Sequence, residues 1–302
     1  MSLNHRKVLV TSAAGAQGRA IVAQLLEAGA TPRVLMREHS ANPFGDGVEI
    51  AWGDLGDRGS LTRASIGIDA MALTLPQVHD RQAVVRYGRN AVDAAAAAGV
   101  PHIVFNASGS VAAGSGVGMM EAKAEVMGHL NSAGVAFTVL IPTIYMDNLL
   151  LPSALPSILS GVLAYPLSVG CRVSWLSRDD LGACVVGALQ RPDLAGSVFH
   201  LGGPDALTGP ELVAMLSEAI GRHVGYLPVP PSEFGQRLNR VLGEGVGDQI
   251  AAHYAWYDSQ PVSPLAVDGS VAARALSVRL RSLREWAASQ DWRALAAQAE
   301  AA

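Results

Sequence analysis

Thr11-Ser12-Ala13-Ala14-Gly15-Ala16-Gln17-Gly18 follows a short apolar run at 8–11 and opens a helical pattern at 18–28. That pattern places Ile21, Val22, Leu25 and Leu26 on one face, and Gly29 ends it. Small residues in such a turn let the backbone approach a pyrophosphate. The helix behind it offers unpaired N–H donors and its positive dipole end. A Gly-x-x-Gly carries weight only when strand, turn and helix stand in this order, as they do here. The usual first glycine is absent, and Ser12 stands in its place. The competing reading is a tight turn that holds no ligand.

Outward from the turn, strands and helices alternate. Residues 33–36, 48–52 and 70–75 read as strands, the last stopped by Pro76. A long helix spans 80–98, a fifth strand 102–106, a helix 119–132 and a sixth strand 136–141. This order implies right-handed crossovers and a parallel sheet. The fold expected is α/β, a doubly wound parallel Rossmann sheet with a smaller C-terminal α+β substrate region. The expected division is 1–147 for a dinucleotide-binding domain and 148–302 for the substrate region. Strands near 173–176 and 197–201 are expected to return to the first domain. Thr208-x-x-Glu211 and Ser282-x-x-Glu285 are capping boxes opening later helices.

Half of the 302 residues are apolar and 16% are charged, so a sizeable core forms. Net charge is −4 and no cationic tract exists, which argues against nucleic acid or an anionic membrane as partner. Two cysteines, Cys171 and Cys184, make neither a disulfide framework nor a metal cluster. No metal is expected, and a reducing cytoplasm is the default location. The N-terminus lacks the apolar stretch of a signal peptide. Residues 148–171 carry no Asp, Glu, Lys or Arg over a length that would span a bilayer, but Pro152, Pro156, Gly161 and Pro166 break the stretch. A buried, substrate-facing segment is expected there rather than a membrane span.

At the end of the second strand a NAD site usually carries Asp or Glu for the ribose 2′-hydroxyl. Here Met36 is followed by Arg37, which could pair with a 2′-phosphate through a charge-assisted fork. NADP(H) is therefore favoured over NAD(H); the alternative is a solvated surface arginine.

The turn at 11–18, Arg37, Gly53-Asp54-Leu55 and Val100-Pro101-His102-Ile103-Val104 together resemble the NmrA-like branch of the atypical short-chain dehydrogenases. So do the stretch from Ala133 to Pro142, Asp179-Asp180-Leu181-Gly182, Gly202-Gly203-Pro204 and Leu207-Thr208. The resemblance covers nearly the whole chain. It implies either an NAD(P)H-dependent reductase or a dinucleotide-sensing regulator without turnover. It also implies that Gly15, Gln17 and Gly18, with Thr11 and Ser12, meet the pyrophosphate. Arg37 would meet the 2′-phosphate, and Asp54 and Leu55 would flank the adenine. Leu75, Pro76 and Gln77 would line the ribose side, and Ala107 and Ser108 at the end of the fifth strand and Pro142 and Thr143 after the sixth would also meet the cofactor.

Ordinary short-chain dehydrogenases use Tyr-x-x-x-Lys, with the lysine one helical turn from the tyrosine to hold the ribose and lower the phenol pKa. The corresponding stretch is Met119-Met120-Glu121-Ala122-Lys123, so the lysine is present and the tyrosine is not. The resemblance implies a functional lysine in this region. Lys123 is one of only two lysines, the other being Lys7, in a chain that otherwise uses arginine. It is expected to hold the nicotinamide ribose and to serve as an acid; the alternative is an exposed helix lysine. Tyr145 is the other acid candidate, and a pocket wall is its competing role. His79, Met119, Met120, Tyr145 and Met146 are expected to touch substrate. Methionines suit flat apolar ligands, although they also serve as core. The glycine-rich residues 108–118 form either a lid or a surface loop. The reading that follows is an NADPH-dependent reductase of a hydrophobic carbonyl, enone or quinone-like compound. The alternative is a silent NADP(H)-sensing regulator.

Overall fold

The computed structural model describes residues 1–78 and 80–301. Its first part runs β1 (Lys7–Val10), α1 (Ala16–Glu27), β2 (Thr31–Met36), β3 (Glu49–Trp52), α2 (Arg58–Ser65), β4 (Ala70–Thr74), α3 (Arg81–Ala97), β5 (His102–Asn106), α4 (Gly118–Ser132) and β6 (Ala136–Pro142). There follow α5 (Leu155–Leu159), β7 (Val162–Tyr165), β8 (Val173–Ser174), α6 (Arg178–Gln190), β9 (Val198–Leu201), β10 (Ala206–Leu207), α7 (Gly209–Ile220) and β11 (Gly225–Pro228). The chain closes with α8 (Pro231–Leu242), α9 (Val246–Ser259), α10 (Gly269–Leu276), α11 (Leu283–Ala288) and α12 (Trp292–Ala301).

Two compact units result. The first comprises Met1–Pro142, Arg178–His200 and Val271–Arg279. Its seven-stranded parallel sheet has the order β3-β2-β1-β4-β5-β6-β9, so the winding reverses between β1 and β4. The crevice at such a reversal, outside the strand C-terminal ends, is where open α/β sheets bind ligands. The central strands β4 and β5 are buried at every residue, as for strands that helices cover on both faces. On one face, Leu73, Phe105 and Val139 pack with Leu61, Val84, Val92 and Val126 from α2, α3 and α4. A Cβ on Gly88 of α3 would lie 2.3 Å from the Val126 side chain, so glycine lets α3 and α4 approach closely. That contact seats α4 one turn from Lys123.

The second unit comprises Thr143–Ser177, Leu201–Ser270 and Leu280–Ala302. Its core is aromatic: Tyr165 packs against Trp175, Phe234 and Tyr254, and the Tyr165 and Tyr254 hydroxyls share a 2.7 Å hydrogen bond. The leading segment of the first unit ends at Pro142, where 147 was expected, and Arg178–His200 and Val271–Arg279 also belong to that unit rather than to the second. The 197–201 segment does join the large sheet, as β9. The 173–176 segment does not: β8 pairs antiparallel with β10 in a separate two-stranded sheet. Its two residues are held by the Thr143 and Ser263 neighbourhoods of its own unit, where Ser174 N donates to Leu265 O at 2.8 Å. Among the described residues no helix is long and apolar enough to cross a membrane.

Candidate functional site

The first unit gathers the turn after β1, the ends of β2, β3, β4 and β5, and the start of α4. Gly15 caps α1 without a side-chain hydrogen bond, and the first turn holds no acidic residue. The first N–H groups of a helix have no intrahelical acceptor, so this end is electropositive and open to an anion. A Cβ on Gly18 would fall 2.3 Å from Ser12 O and 2.6 Å from Ala13 Cα, so only glycine lets α1 pack this tightly on its own turn. Ser12, where the first glycine is missing, takes φ = +50°, a left-handed backbone that favours glycine. Its hydroxyl donates to Thr74 O at 2.9 Å, and Thr11 Oγ1 donates to the same oxygen at 2.7 Å. Thr74 N returns a bond to Thr11 Oγ1 at 2.9 Å. These bonds offset the strain and lock the turn to the end of β4.

Arg37 leaves the end of β2 exposed, and its guanidinium has no ion pair or side-chain hydrogen bond among the described residues. A fork with no internal partner can close on a phosphate. Arg37→Ala is expected to weaken NADPH binding by about 1.5–3 kcal/mol, as for a lost hydrogen bond to a charged group. NADH binding should stay nearly constant. Calorimetry with both cofactors checks this, and equal losses would remove the assignment. Asp54 is exposed and accepts from Gly56 N at 2.6 Å, while Leu55 is buried and its carbonyl accepts from Asn90 Nδ2 at 2.9 Å. Leu75 and Ala107 are buried in the core at the strand ends; Pro76 is half-buried and Gln77 exposed.

Lys123 is 8% exposed and makes no hydrogen bond or ion pair with any described residue. A Cβ on Gly109 would sit 3.6 Å from its Nζ, so the amine faces the loop that leaves β5. Burial pulls its pKa down from 10.5 to about 8. An amine with little access to water and no internal partner is a ready donor to a ligand oxygen. The cradle at Gly15 and Gly18, the open helix end and this orphaned amine together fit a dinucleotide.

The remaining candidates divide. Met119 belongs to the core that contains Leu75 and Ala107, and Met120 is fully buried. Thr143, Tyr145 and Met146 lie in the second unit, and all are buried. Thr143 gives its hydroxyl hydrogen to Ser174 O. Tyr145 bridges to Leu176 and precedes a short 3-10 turn at Met146–Leu150. His79 lies outside the described residues. Sequence reading missed Asn106, which is 1% exposed at the end of β5. Its Nδ2 donates to Gln17 Oε1 at 2.7 Å and to Thr74 Oγ1 at 3.3 Å, and Ser108 Oγ donates to Gln17 Oε1 at 3.0 Å. The available signal was a carboxamide directly after the apolar run Ile103-Val104-Phe105.

Turn, switch point and strand-end residues define a Rossmann-type α/β unit of the dinucleotide-binding class. The chain belongs to the NmrA-like family, whose model matches residues 4–287. It is 30% identical over 252 residues to the NAD(P)H azoreductase of Xenophilus azovorans, covering 82% of this chain and 86% of that protein. It is 26% identical over 249 residues to quinone oxidoreductase 2 of Escherichia coli, covering 81% and 85%. The fold matches Citrobacter sp. triphenylmethane reductase complexed with NADP(H) with a TM-score of 0.78 at 22% identity, covering 94% of this chain and 99% of that one.

Proposed function

We propose that this protein uses NADPH to reduce a small, flat, hydrophobic acceptor, a carbonyl, enone or quinone-like compound, with Lys123 as the group that assists charge on the acceptor. The chain is an NAD(P)H-dependent oxidoreductase, and its relatives named for azo and quinone reduction support aromatic acceptors. When bound, NADPH supplies hydride. The protein supplies positioning and electrostatics. Gly15, Gly18 and the α1 N-terminus would hold the pyrophosphate, and Arg37 the 2′-phosphate. The observation that carries the reading is Lys123, a buried amine with no internal partner beside Gly109. Its ammonium can donate a hydrogen bond to the ribose or proton to a developing oxyanion, and Met119 leaves no tyrosine to do so from the usual position.

The test is NADPH oxidation across a panel of quinones, azo dyes, enones and aromatic ketones, with the reduced product identified. Turnover of aromatic acceptors is expected. Tight NADPH binding with no oxidation across the panel would favour a sensor instead.

The pKa of Lys123 adds a pH dependence. If the ammonium is the working form, kcat falls as pH rises through about 8. The fall should vanish from the residual activity of Lys123→Met. A profile in which kcat climbs through that range would assign the working form to the neutral amine.

A further inference from the structure

The turn that holds the dinucleotide and the loop that faces Lys123 are joined by one buried side chain. Asn106 spends both amide hydrogens on the first, through Gln17 Oε1 and Thr74 Oγ1. Its Oδ1 accepts from Ser108 N at 3.0 Å, two residues on. Such an Asx-type bond favours a sharp turn of the backbone. Ser108 indeed takes φ = +56°, a left-handed conformation costly for serine, and Gly109 follows at φ = +134°. Gly109 is the residue that faces the Lys123 amine. Ser108 Oγ also returns to Gln17 Oε1, closing the network.

We propose that Asn106 is a positioning residue: it pins the strained backbone of Ser108 and Gly109 against the Lys123 amine and ties that geometry to the dinucleotide turn through Gln17. The inference rests on the reductase reading for its kinetic consequence, but its structural claim concerns Lys123 alone. Asn106 touches neither hydride nor acceptor. Without its Oδ1, Ser108 loses the bond that favours its left-handed backbone, and the loop relaxes away. Water then reaches the amine more freely.

Two readouts test this. The first is the pH dependence of Lys123 labelling by 2,4,6-trinitrobenzenesulfonate, followed by peptide mass. Wild type should show a midpoint near 8. In Asn106→Leu and in Asn106→Ala the midpoint should move toward the ordinary lysine range, about 10. Asn106→Ser keeps an uncharged oxygen that can accept from Ser108 N, more weakly, and should restore much of the wild-type midpoint. The second readout is kinetic. Asn106→Leu should lower kcat by about 10–100-fold, as for a catalytic group displaced by about an ångström, with the NADPH KM changed less than about threefold. Wild-type inactivity on the acceptor panel would sink the reductase reading while the labelling still decides the role of Asn106. A folded Asn106→Leu or Asn106→Ala that keeps the wild-type labelling midpoint would overturn the proposal.

Discussion

Lys123→Met should lose about 10²–10⁴-fold in the rate of NADPH oxidation, the range expected when an acid or electrostatic group is removed. The same variant should be more stable than wild type. Burial lowers the folded-state pKa of Lys123 from 10.5 to about 8. Between those values the unfolded chain binds a proton that the native state does not, so stability rises with pH across that window. Below about pH 8 the native state carries the full penalty of a buried charge. Removing the amine should therefore raise stability at pH 7 by up to about 2–3 kcal/mol, a gain that fades above pH 10. Chemical denaturation at pH 7 and pH 10 reads this directly. A lysine that served only packing would show unchanged activity. NADPH binding should fall much less than the rate, because the phosphates keep their contacts. Lys123→Arg should not rescue fully, since a planar fork does not replace a compact ammonium.

Gly15→Val should weaken NADPH binding by about 10–100-fold, the equivalent of 1–3 kcal/mol of overpacking. The glycine sits at the N-cap of α1 with φ = −72°, which valine can adopt. Its Cβ would meet only Ser12 O, at 3.2 Å. The fold should survive with a small shift of that oxygen, while the two methyls occupy the cradle. Gly18 differs: a Cβ there meets backbone at 2.3 Å, so any side chain must displace α1. Calorimetry together with thermal unfolding separates the two positions. Normal NADPH binding by a folded Gly15→Val would move the dinucleotide away from this turn.

The parts legible in the sequence were those written in short windows. The turn at 11–18, the strand His102–Asn106 and the helix Gly209–Ile220 with its Thr208–Glu211 capping box all carry local signals. Helix α2 was missed because Arg58-Gly59-Ser60 is poor helix sequence; it is held by Asp57, whose carboxylate accepts from Gly59 N and Ser60 N. Helix α6 was missed because it is buried on most sides and lacks a clean amphipathic stripe. Strand β8 was misplaced because a piece as short as Val173–Ser174 carries no pattern that selects one sheet over another. In the site, Arg37 and Lys123 were readable from spacing and scarcity. The Asn106–Gln17 bond joins residues 89 apart, and no local pattern encodes it. The burial of Met120 is not legible either, because methionine in a core and methionine in a pocket look alike in sequence.

The proposed reaction is hydride transfer to an acceptor in a site where Lys123 assists. Its most direct measurement is turnover with NADPH deuterated at the transferred position of C4 and a simple quinone as acceptor, followed by absorbance. Expected are oxidation of NADPH in step with quinone reduction, a slower rate for the deuterated cofactor in single turnovers, and loss of that turnover in Lys123→Met. NADPH that binds tightly yet stays reduced, with the quinone unchanged, would contradict it.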